Sequence, residues 1–184
     1  MRPNSNDRCS QQDYRDLFST AADELRWLCY SLTGDDSLTT KVMDAAMEQS
    51  LKGANHVFRE WMLSWARRLI IRFCVGAVRP AASLKEGSGH KSRADFSAVD
   101  DVDISAILDV PSDRLQKKLL ALDPLPRFVF VLRAIEECTR RDAALLLDID
   151  DRTCESAYCQ AIQALRFKVF EVKPFGSAME LVAV

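Results

Sequence analysis

Residues 79–97, RPAASLKEGSGHKSRADFS, carry almost no apolar periodicity, yet they lie between two stretches that carry a great deal. Pro80, Gly87, Gly89 and the serines around them favour a linker over a helix or a strand. This segment divides the chain into two helical halves. The 184 residues therefore read as an all-α protein of two small helical domains joined by a flexible linker, with bounds of 13–78, 79–111 and 112–173.

The periodicity on both sides is helical. Residues 1–16 are polar and are expected to be loose. Leu17, Ala21, Leu25, Leu28 and Leu32 then recur at helical spacing, Thr20 and Asp23 have the spacing of a capping box, and Gly34 stops the run. A second helix is expected over Ser37–Leu51, with Val42, Met43, Ala46 and Met47 inward. A third covers Phe58 to about Phe73. Its apolar stripe is Phe58, Trp61, Met62, Trp65, Leu69 and Phe73, and Arg59, Arg67, Arg68 and Arg72 lie on the other face.

Beyond the linker, a short helix is expected around Asp101–Leu108. Ser112 is placed to cap DRLQKKLLAL, and Asp123-Pro124 reads as a cap followed by a first-turn proline. FVFVL alone would pass for a buried strand, but Leu125, Phe128, Val129, Leu132 and Ile135 keep helical spacing over the longer window. Thr139 with Asp142 opens a short helix, RRDAALLL. Asp148–Asp151 forms a turn. A last helix buries Cys154, Tyr158, Ala161 and Leu165. The tail from Pro174 has no assigned role.

The chemistry-bearing motifs of common enzyme classes are missing: phosphate loop, dinucleotide glycines, G-x-S-x-G and H-E-x-x-H. Glu136-Glu137 and Asp150-Asp151 are adjacent pairs that diverge on a helix or turn, so they do not make a catalytic dyad. With two histidines and no C-x-x-C among Cys9, Cys29, Cys74, Cys138, Cys154 and Cys159, no metal site or other cofactor is expected. No small-molecule substrate is expected either. The N-terminus has no apolar signal run, and no stretch approaches the ~18 apolar residues of a membrane span. A cytoplasmic protein without membrane contact is expected, its thiols packed as small apolar groups.

The last three helices point to binding. A long helix, a short one with Ala143-Ala144, a tight turn plugged by Ile149 and a final amphipathic helix make a helix-turn-helix. The last helix is expected to present Arg152, Thr153, Glu155, Ser156, Cys159, Gln160 and Gln163 to a major groove. Arg140 and Arg141 stand where the unit meets the phosphates.

LPRFVFVLRAIEECTRRDAALLLDIDDRTCESAYCQAIQALR resembles the promoter minus-thirty-five-binding domain of bacterial extracytoplasmic-function sigma factors. Leu125, Pro126, Leu132, Arg133, Ala144, Leu147, Ile149, Thr153, Ala161, Leu165 and Arg166 are in step with that family. FREWMLSWARRLIIR is similar to the family's other domain, which binds core RNA polymerase and the minus-ten element; Phe58, Trp61, Met62, Ala66 and Arg67 match. TTKVMDAAM lies where the family has its polymerase-clamp helix. The resemblance implies transcription initiation: Arg59, Arg67, Arg68 and Arg72 along minus-ten DNA, and Lys41, Asp44, Met47 and Glu48 against core RNA polymerase. Promoter DNA and an anti-sigma factor are the further partners that it implies. Trp61 and Trp65 are assigned to the core stripe, their other role being to stack on unpaired bases. Cys159 as a redox switch has no activating charge beside it.

Charge supplies a competing reading. The chain holds 25 Lys+Arg against 27 Asp+Glu, so DNA contact must rest on local patches. Over residues 139–166, Arg140, Arg141, Arg152 and Arg166 face Asp142, Asp148, Asp150, Asp151 and Glu155, a net of -1. Glu155, Ala157 and Gln160 stand where the family carries cations, and Asp148 replaces the turn glycine. Lys41 and Asp44 occupy clamp-helix positions where the family has an acid and a Gln. The alternative is a degenerate sigma-like regulatory module that works by protein–protein contact without reading DNA.

Overall fold

The computed structural model describes residues 8–79 and 104–167. These residues are all-α, with nine α-helices and no strand among them. In chain order the helices are α1 (Gln11–Thr20), α2 (Ala22–Thr33), α3 (Asp36–Lys52), α4 (Met62–Val78), α5 (Ser105–Leu108), α6 (Ser112–Leu120), α7 (Pro124–Phe130), α8 (Arg140–Leu147) and α9 (Asp151–Phe167). The expected linker segment 80–97, residues 101–103 of the expected short helix and the tail from Pro174 lie outside the described residues.

The N-terminus departs from expectation. Residues 11–16 are helical, because Ser10, not Thr20, supplies the capping box. The Asp13 N–H donates to Ser10 Oγ at 3.2 Å, and the Ser10 N–H donates to the Asp13 carboxylate at 2.7 Å. Thr20 caps nothing: its hydroxyl donates backward to the carbonyls of Asp16 and Leu17. The chain breaks at Ala21, so the expected stripe is split between two helices. Tyr14 and Phe18 hold α1 to the core, while Leu25, Leu28 and Leu32 hold α2. α2 ends at Gly34, whose φ of 70° is the left-handed conformation that glycine adopts without strain.

α3 closely follows its expected span. Asp35 caps it, and Val42 and Ala46 are buried. α4 is rotated from its expected stripe. A 3-10 turn, Arg59–Trp61, precedes it, and its buried residues are Ala66, Leu69, Ile70, Ile71 and Cys74. α4 packs on α2 and α3. Cys74 Sγ comes within 3.6 Å of Cys29 Sγ on α2, a close approach suited to small side chains. Trp61 is 59% exposed and Trp65 39%, so neither belongs to the core.

In the second half, Ser112 is the first residue of α6 rather than its side-chain cap, the position before it being Pro111. Asp123 precedes Pro124 as expected but makes no side-chain capping bond. FVFVL is helical. Phe128 through Leu132 are all fully buried, which is why the run alternates with no polar face. The helix widens into a π turn over Val131–Ile135, closed by the Glu136 N–H donating to the Val131 carbonyl at 2.9 Å. Thr139 caps α8 by accepting from the Asp142 N–H at 3.1 Å.

The two halves touch. α2 packs against α6 and α7, and α4 against α8. Gln116 of α6 donates to the Trp27 carbonyl at 3.3 Å and to Ser31 Oγ at 3.1 Å.

Candidate nucleic-acid interface

The turn between α8 and α9 is built as the sequence implies. Asp148 takes the left-handed conformation, φ 54°, in place of glycine. The Ile149 N–H donates to the Ala144 carbonyl at 3.1 Å, and the Ile149 side chain packs on the core from a half-buried position. Ala143 and Ala144 are buried, leaving room for α9 to cross close by. Asp150 caps α9: the Thr153 N–H donates to one carboxylate oxygen at 2.9 Å, and the Thr153 hydroxyl donates to the other at 2.6 Å. These bonds hold the Asp150 carboxyl below the usual carboxylate range.

The inner face of α9 is Cys154, Ala157, Tyr158, Ala161, Ile162 and Leu165, all buried. Tyr158 stacks on Phe130 with centroids 6.2 Å apart. The Arg133 guanidinium lies 3.9 Å from the Tyr158 ring centre and donates to Glu155 at 2.8 Å. Glu155 is thus neutralised from within the unit and does not stand as a bare anion on the outer face.

The outer face carries Arg152, Gln160 and Gln163, all exposed, with Ser156 half-buried between them. At 3.6 residues per turn these positions form one stripe. Arg166 is exposed in the same phase and belongs to this face; its spacing of three from Gln163 is the signal that marks it. Thr153 is half-buried and engaged with Asp150. Cys159 corrects the expectation, being buried. With Glu155 four residues before it, it occupies a flank of α9 that turns into the protein, where a thiol packs as a small apolar group. Arg140 and Arg141 are exposed at the start of α8, Arg140 lying 3.4 Å from Asp151.

On the first half, Arg68 and Arg72 are exposed, and Arg59 pairs with Asp13 at 3.0 Å. Arg67 is not an open cation. Its Nε donates to Glu136 at 3.0 and 3.2 Å, and its guanidinium also pairs with Glu24. These carboxylates raise its pKa further, Glu136 most. Beside Arg68, the exposed indoles of Trp61 and Trp65 join His56, Val57, Phe58 and Ser64 around a depression of about 500 Å³. Phe58 and Trp61 meet edge-to-face at 5.5 Å. The apolar stripe concealed this site, because periodicity registers an exposed aromatic and a buried one alike. On α3, Lys41 and Asp44 are exposed, Glu48 is exposed and bonded to Lys52, and Met47 is half-buried against the core.

Residues 112–165 match the family model described as sigma-70, region 4. This segment is similar to region 4 of sigma-70 factors. The match opens at the first residue of α6 and closes at the last buried leucine of α9, so it takes in the whole helix-turn-helix and leaves residues 1–111 outside. No curated protein matches the chain. Region 4 is a DNA-binding helix-turn-helix of transcription factors and not an enzyme family. No helix among the described residues is long and apolar enough to cross a membrane.

Proposed function

We propose that this protein is an extracytoplasmic-function sigma factor that brings core RNA polymerase to promoter DNA. The region 4 domain, within the unit 112–173, lays α9 in the major groove of the minus-thirty-five element through Arg152, Ser156, Gln160, Gln163 and Arg166. Glutamine amides suit adenine edges, and the arginines at the two ends of the stripe suit phosphates or guanine. The unit 13–78 meets core polymerase through the exposed side of α3, with Lys41, Asp44 and Glu48. It meets minus-ten DNA through Arg68, Arg72 and the Trp61–Trp65 depression, where indoles without a core partner suit unstacked bases.

The observation that carries this reading is the solvent-facing stripe of α9 within a region 4 match. Run-off transcription with purified core enzyme tests it. Promoter-dependent transcripts are expected, and failure to bind core polymerase at low salt overturns it.

The acidic surroundings of α9 favour one other reading, a sigma-like regulatory module that contacts proteins only. Asp142, Asp148, Asp150 and Asp151 ring its N-terminal end, and all are exposed. A duplex titration at two salt concentrations separates the two: a steep salt dependence supports the sigma factor, and no binding at either supports the module.

A further inference from the structure

Cys29 of α2 and Cys74 of α4 meet sulfur to sulfur inside the first half, their Sγ atoms 3.6 Å apart. Both are fully buried free thiols. They are 45 positions apart in the chain, so packing alone brings them together. The pair sits where three helices join, because Cys29 Sγ also lies 3.8 Å from the Thr39 carbonyl of α3. Cys154, by contrast, directs its thiol to the Arg140 carbonyl at 3.7 Å.

A lone buried thiol is inert. A second thiol in contact changes that, because a sulfenic acid formed on one sulfur condenses with the other. A disulfide bond is about 2.05 Å long, so the sulfurs must close by about 1.5 Å. Rotation of the two side chains supplies that while α2 and α4 stay packed. The Cys74 S–H beside it holds the Cys29 thiol below its ordinary range, and the same contact, with burial, pushes Cys74 up. Cys29 is therefore the sulfur that ionises first.

We propose that Cys29 and Cys74 are a redox-active dithiol, which hydrogen peroxide oxidises to a disulfide that ties α2 to α4. Cys29 Sγ attacks the peroxide. An S–O bond forms, the O–O bond breaks, and the leaving hydroxide takes up the Cys29 proton as water. Cys74 Sγ then attacks the sulfenyl sulfur. The S–S bond forms, the S–O bond breaks, and the second hydroxide takes up the Cys74 proton. Two thiols and one peroxide give one disulfide and two waters, with two electrons passing from sulfur to oxygen. Burial limits the oxidant to one as small as peroxide. The bond fixes the helix that presents Trp65, Arg68 and Arg72 on its outer side. This inference stands apart from the promoter reading and holds for any partner of α4.

Peroxide treatment of the reduced full chain is the test, followed by alkylation of the remaining thiols and tryptic digestion without reductant. Trypsin places the two cysteines on separate peptides, 27–41 and 73–85. Mass spectrometry is expected to find these two linked, two hydrogens lighter than their sum. The same peroxide on the urea-unfolded chain is expected to give roughly tenfold less of the link, because closing so long a loop is entropically costly. The urea midpoint of the linked chain is expected to rise, and dithiothreitol to return it.

Oxidation of Cys29 to the sulfinic or sulfonic acid without the link overturns the dithiol. So does recovery of both thiols, alkylated after unfolding, from chains whose half-buried Cys138 is already oxidised. Equal linkage in folded and unfolded chains overturns the part played by the sulfur contact. A link with an unmoved midpoint overturns the tie between the helices. All of these readouts use the wild type, so none depends on a variant that must fold.

Discussion

Arg152 isolates the contribution of the α9 face. It is exposed in the first turn of α9 and forms no ion pair among the described residues, its neighbour Asp151 facing Arg140 at 3.4 Å. Substitution by Ala removes a charge without opening the core, so stability is expected to change by no more than about 0.5 kcal/mol. If Arg152 neutralises one phosphate, its loss reduces the slope of log K against log salt by about 0.9. The same slope makes the variant weaker by about fifteenfold at ~50 mM salt and by about fourfold at ~200 mM. Fluorescence anisotropy on a labelled promoter duplex across a KCl series reads both numbers. A scrambled duplex run in parallel should lose the same amount, since a phosphate contact carries no base information. Parallel lines for the wild type and Arg152→Ala would refute the reasoning, because they would place Arg152 away from the phosphates.

Two further outcomes follow from local geometry. Gly34→Ala forces a side chain into a left-handed position and presses its Cβ on Leu120, so urea unfolding should show a loss of about 1–2 kcal/mol. The carboxyls of Asp13 and Asp150 lie below their usual 3.8 because cap hydrogen bonds stabilise the charged form. A depressed folded pKa gives stability that is complete above the unfolded value and lost as pH falls through the folded one. Amide signals in the first turns of α1 and α9 should therefore hold steady down to about pH 4 and loosen below it, and an NMR titration in which those turns loosen between pH 7 and 5 would contradict this.

Much of the binding unit was legible without coordinates. The Thr139 cap, the left-handed turn at Asp148 and the burial of Cys154, Tyr158, Ala161 and Leu165 are all as the sequence implies. Each depends on residues within one or two turns of one another, and such interactions are written locally. The exposure of Gln160 and Gln163 follows from the same phase. The capping box at Ser10 is equally local, but the polar residues around it read as a loose start.

Other features depend on what each helix meets. α4 carries two apolar flanks, and periodicity alone does not say which one α2 and α3 will cover. Packing chose Ala66, Ile70 and Cys74, which put Trp61 and Trp65 in solvent. Arg67 reads as one cation of an open row until Glu136, 69 residues along the chain, is brought beside it. Cys159 lies in the polar phase of α9 yet is buried. The sequence by itself determined an all-α chain with a helix-turn-helix at its C-terminal side, because caps, turns and helical period act over a few residues. Only the tertiary structure decided which aromatics and cations remain open to a partner, because burial and ion pairing are set by neighbours distant in sequence.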